Sequence, residues 1–128
     1  MNEEDLKLKE DWQNLRIYIE KTVGKKPSDL NSVLFLIGVQ ELGQGKKVFT
    51  KEQKQDLMHI AICKALSFGG FYTFEGTDTE GWPHWKLVQK LPNFDLLSQE
   101  KLLKHFVIEY FKIEADFVPN SETINPLI

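Results

Sequence analysis

The stretch Phe68-Gly69-Gly70-Phe71-Tyr72-Thr73-Phe74-Glu75-Gly76-Thr77-Asp78-Thr79-Glu80-Gly81-Trp82-Pro83-His84-Trp85 decides how this chain is read. Its eighteen positions hold six aromatic rings, four glycines and three carboxylates. Apolar residues at helical spacing flank it on both sides, so the helical pattern breaks here and a β-hairpin begins. The expected strands are Phe71–Glu75 and Trp85–Leu91, with Gly76-Thr-Asp-Thr-Glu-Gly81 as the tip and Trp82 and Pro83 at its shoulder. Pro83 cannot donate to a ladder and belongs on an edge or at a strand start. Two strands are marginal alone, so the hairpin must lie against helices or pair with another copy.

Outward from the hairpin, four helices are predicted. Leu8, Trp12, Leu15 and Ile19 recur on one face of a first helix over residues 4–23, with acidic residues in its first turns. Gly24-Lys-Lys-Pro27 ends it, and Ser28 is placed as N-cap of a second helix reaching about Leu42. The centre of that helix, Val33-Leu-Phe-Leu-Ile-Gly-Val39, is apolar on every face, so it is expected to be central, with Gly38 allowing a neighbour to approach closely. Thr50-Lys-Glu-Gln53 has capping-box form and opens a third helix from Lys51 to about Phe68, stopped by Gly69-Gly70. A fourth helix over residues 98–114 is expected to bury Leu102, Leu103, Phe106, Val107, Tyr110 and Ile113. Residues 117–128 contain two prolines and no period, and read as an extended tail, docked through Phe117 and Val118 or frayed. The predicted architecture is mainly α: a compact four-helix assembly over residues 1–116 with one aromatic-rich hairpin at about 71–91.

Composition narrows the classes of function. With 41% apolar and 27% charged residues the 128-residue chain is built to fold as one domain, without disulfides, since Cys63 has no partner. Asn2-Glu-Glu-Asp5 is acidic where a secretory leader would be cationic, and no apolar run approaches the roughly 20 residues of a membrane span. The expectation is a soluble, cytoplasmic protein. Of sixteen basic residues only Arg16 is an arginine, and the net charge is −3. That balance argues against a nucleic-acid binder and against bidentate phosphate recognition. Lys25-Lys26 and Lys46-Lys47 sit at opposite ends of the second helix, so they read as two basic corners rather than one groove.

Three sets of side chains carry candidate chemistry. Asp56, His59 and Cys63 share one face of the third helix and form half of a metal motif, without the second half that a di-metal bundle supplies from other helices. Cys63 lies late in its helix, where the dipole opposes a thiolate, so it reads as a structural thiol. Glu41 or Glu109 would have to converge on His59 and Asp56 to enclose a small-molecule or metal site. The hairpin supplies the third set, with Tyr72, Asp78, Glu80, Trp82, His84 and Trp85 as a contact surface. No complete catalytic set and no cofactor motif is present. The sequence therefore leads to a small, non-enzymatic interaction module whose aromatic hairpin meets a protein partner or a second copy. A helix-enclosed small-molecule or metal site is the alternative.

Overall fold

A computed structural model describes residues 2–45, 47–93 and 95–119. Among them are four helices and one antiparallel hairpin, in the order α1 (Glu3–Val23), α2 (Leu30–Leu42), α3 (Lys51–Ser67), β1 (Tyr72–Thr77), β2 (Pro83–Leu87) and α4 (Leu96–Glu114). The mainly α architecture with a hairpin between the third and fourth helices is as the sequence predicts. No helix among the described residues is long and apolar enough to cross a membrane.

Each helix starts where a short polar side chain can take up an orphan backbone donor. Asn2 accepts from the Asp5 amide at 2.8 Å, and Thr50 and Gln53 form the reciprocal capping box expected of them. The cap of α2 differs from expectation. Asp29, not Ser28, accepts from the Ser32 amide at 2.8 Å, because its carboxylate also takes the Ser32 hydroxyl. α4 begins two residues earlier than predicted for the same kind of reason: Asp95 accepts from the Ser98 amide, so Ser98 is the third helical residue rather than the first.

One core draws on all four helices. Trp12, Leu15 and Ile19 of α1 meet Val33, Leu34 and Ile37 of α2, Ala61 and Ala65 of α3, and Val107, Ile108 and Tyr110 of α4. Phe117 closes it, its ring tilted against Tyr18 at 5.2 Å between centroids, and the Tyr18 hydroxyl donates to the Ala115 carbonyl. Two expectations are corrected here. Ile113 is exposed and Ile108 buried in its place, and Val118 points outward while Phe117 and Pro119 are buried. The remainder of the expected tail, residues 120–128, lies outside the described residues. A second cluster, Leu42, Phe49 and Leu57, takes Phe35, Val39 and Trp82 against it.

The α2–α3 pair is the tightest contact. A Cβ at Gly38 would collide with the Leu57 carbonyl oxygen and carbon, so only glycine lets these two backbones meet. A smaller version of the same device stands at Gly69, where a Cβ would lie 2.6 Å from the Phe106 ring.

The hairpin register pairs Tyr72 with Leu87, Phe74 with Trp85 and Gly76 with His84, with a bulge between Phe74 and Gly76. The strands are displaced from the predicted ones. β1 runs on to Thr77, β2 starts at Pro83, and Val88 to Leu91 are not in a strand. The displacement follows from the turn: the Asp78 amide bonds the Trp82 carbonyl at 3.0 Å, which shortens the tip to five residues. Both strands lie against α3.

Gly38→Ala is expected to destabilise the fold by about 2 kcal/mol or more, the range of overpacking penalties in tight cores. Equilibrium urea denaturation measures it, with Gln40→Ala, at an exposed position of the same helix, as the comparison.

Candidate functional site

Two of the sequence-derived sets meet in one place. A cleft of about 460 Å³ between α3 and the hairpin tip is lined by Asp56 and His59 of α3 and by Asp78, Glu80, Trp82, His84 and Trp85 of the hairpin. Gln53, Ile60 and Pro83 complete it. Spacings of three and four put Gln53, Asp56 and Ile60 on one side of α3, where the hairpin crosses.

The hairpin wall is organised by Asp78. One carboxylate oxygen accepts from the Glu80 and Trp82 amides, at 2.9 and 3.0 Å, and the other lies 2.9 Å from His84 Nε2. The His84 contact, followed by those amides, holds the Asp78 carboxyl below its ordinary range, so it stays ionised near neutrality. Gln44 ties the tip to the α2–α3 loop by donating to the Glu80 carbonyl at 2.9 Å. Trp82 packs on Leu42, Phe49 and Leu57, so it is half-buried rather than presented freely. Trp85 is also half-buried, 5.3 Å from Phe74, and its indole nitrogen is buried without a hydrogen-bond partner. Neither tryptophan is fully buried, and both residues line the cleft.

Cys63 stands one turn beyond His59, its Sγ 3.5 Å from His59 Nε2, but it is fully buried and does not line the cleft. Burial pushes its thiol up to about 11, against a smaller opposing pull from the Tyr72 hydroxyl. Tyr72 itself is raised, first by burial and then by Cys63. Tyr72, expected on the contact surface, therefore faces α3. Among the described residues no group of three or more His, Cys, Asp or Glu side chains is arranged to hold a metal ion.

The carboxylates expected to converge on His59 are elsewhere. Glu41 accepts from the Tyr110 hydroxyl at 3.0 Å and approaches Lys64, which also pairs with Glu114 at 3.1 Å. Glu109 pairs with Lys112 on α4 at 3.2 Å. Sequence reasoning missed that Asp56 and the hairpin tip share a cleft, and that Gln53 and Gln44 take part. The available signal was Asp78 ahead of Gly81, a turn-forming pattern that fixes where the tip folds back.

No family model, curated protein or solved structure matches the chain.

Two outcomes test this geometry. Asp78→Ala should strip hydrogen-exchange protection from the Glu80 and Trp82 amides while leaving α1 and α4 protected. Cys63 should alkylate at neutral pH at least about 100-fold more slowly in the folded protein than in urea, since burial lifts its thiol from 9.0 to about 11 and cuts the thiolate fraction about 100-fold. The linkage has a fixed sign. Because the folded thiol titrates near 11 and its ordinary value is 9.0, its contribution to stability is whole below 9 and declines as pH rises toward 11.

Proposed function

We propose that this protein is a small, non-catalytic interaction module, and that the α3–hairpin cleft is where it holds a basic side chain of a protein partner. The observation that carries this reading is the convergence of Asp56 with Asp78, Glu80, Trp82 and Trp85 on one concavity. Its volume lies in the range of ligand pockets. A lysine or arginine entering it meets carboxylates from two walls and the faces of indole rings, the chemistry that attracts a cation most strongly. Half-buried tryptophans beside a charged rim also match the composition of interface hot spots. Nothing in the cleft is an activated nucleophile: the only thiol is kept neutral and lies behind His59. The reading suits a reducing compartment such as the cytoplasm, where Cys63 remains a thiol.

The concavity also fits a free organic cation, which keeps the small-molecule alternative in play. Titration of the intact chain with N-acetyl-arginine amide, and with short peptides carrying one central Arg, Lys, Glu or Leu, separates the two. Trp12 is buried in the core, so fluorescence changes report on Trp82 and Trp85. Basic peptides should bind at least about 10-fold better than the bare amide if a protein partner is read. Asp56→Asn should weaken them, and Trp82→Ala should abolish the effect. Equal binding of the bare amide would move the assignment to a small molecule, and preference for the Glu or Leu peptide would end it. Native mass spectrometry completes the test: a dimer that Trp82→Ala dissociates would identify a second copy as the partner.

A further inference from the structure

A different groove lies on the opposite flank of α3, between α2 and the α1–α2 loop. It has a volume of about 600 Å³. Its floor is apolar, made of half-buried Phe35, Leu36 and Met58, and its rim carries exposed Val23, Lys25, Lys26 and Lys54. Helix α2 is apolar on every side, a pattern that belongs to a helix covered all round. Yet Phe35 and Leu36 are only half-covered.

What sets the three lysines apart is their gathering around one apolar groove. Lys64, Lys101, Lys104 and Lys112 each reach a carboxylate within 4 Å. Lys25, Lys26 and Lys54 are exposed and have no carboxylate partner among the described residues. Asp29, the one acid lining the groove, is committed to capping α2. The rim is also held in place: the single arginine, Arg16, donates from Nε to the Pro27 carbonyl at 2.9 Å and fixes the loop bearing Lys25 and Lys26.

We propose that this groove docks an acidic amphipathic helix of a partner protein. Apolar anchors at helical spacing would lie on Phe35, Leu36 and Met58, a mode in which an adaptable methionine surface is common. Acidic residues beside the anchors would meet three lysines that lack intramolecular partners. An anionic membrane surface is a poorer match, because polybasic membrane sites use about four to eight basic residues and this rim has three. This assignment is independent of the α3–hairpin cleft, and either can fail without the other.

The test uses the full chain, labelled with nitrogen-15, and a synthetic capped peptide of about 14 residues, close to the length of an average helix. The peptide carries Leu at i, i+3, i+4 and i+7 with Glu between them, and a matched peptide carries Lys in place of Glu. Amide shifts on adding the Glu peptide should map to Lys25, Lys26, Phe35, Leu36, Lys54 and Met58. The triple variant K25E/K26E/K54E should bind at least about 10-fold more weakly, the effect of removing complementary charge, and added salt should weaken binding of the parent. These lysines are exposed and unpaired, so the variant should keep its helical circular dichroism, and the Lys→Gln triple variant serves if it does not. Failure of the Glu peptide to shift these amides, equal binding of the Lys peptide, or unchanged binding by the triple variant would overturn the proposal. Co-sedimentation with phosphatidylserine vesicles without peptide binding would transfer the groove to a membrane and overturn it as well.

Discussion

The contact between Gly38 and the Leu57 backbone sets the position of everything else. Helix pairs usually hold their axes about 8–10 Å apart with side chains interleaved between them. At Gly38 there is no side chain to interleave, so α2 and α3 touch backbone to backbone. With α2 seated so closely on one side, α3 is free to pack α4 through Ala61 and Ala65 and to carry the hairpin on another. One helix thereby becomes the shared wall of the core, the cleft and the lysine-rimmed groove.

The hairpin inherits its placement from that helix. A two-stranded ribbon has too little buried surface to hold its own shape. Here it is fastened at several points: Gly69 lies under the Phe106 ring, Tyr72 lies on Cys63, Trp82 on the Leu42 cluster, and Gln44 bonds the tip. Most of these fastenings are neutral contacts, which ionic strength does not weaken. The tip carboxylates stay exposed to solvent, and Asp78 is fixed there by the Glu80 and Trp82 amides and by His84.

The helices were legible in the sequence because their signals are local. The Thr50–Gln53 capping box, the spacing of Leu8, Trp12, Leu15 and Ile19, and the glycines after α1 and α3 each depend on residues within a few positions. The same locality misplaced the cap of α2, where Ser28 and Asp29 are both competent and only the second hydroxyl partner at Ser32 decides between them. Strand ends were read less well, since the turn is set jointly by the Asp78–Trp82 backbone bond and by the Asp78 carboxylate taking the Glu80 and Trp82 amides. The site was legible in its parts but not in its assembly. Asp56 and Glu80 belong to different elements, and their meeting in one cleft depends on how the hairpin folds back over α3.

Net charge describes this molecule poorly, because its charges are sorted by location. On α4 the lysines are balanced by nearby acids, Lys101 with Asp5 of α1, Lys104 with Glu100 and Lys112 with Glu109. Such exposed pairs contribute little stability individually, but they leave that face electrically quiet. Along α3 the signs separate instead: Asp56 faces the hairpin carboxylates, while Lys54, two residues earlier and about 160° around the helix, faces Lys25 and Lys26. Like charges gathered on each flank repel one another, so neither grouping is favoured by folding itself. Folding tolerates both because each borders solvent. What distinguishes them from ordinary solvated faces is the apolar surface they enclose, indole rings on one flank and Phe35, Leu36 and Met58 on the other.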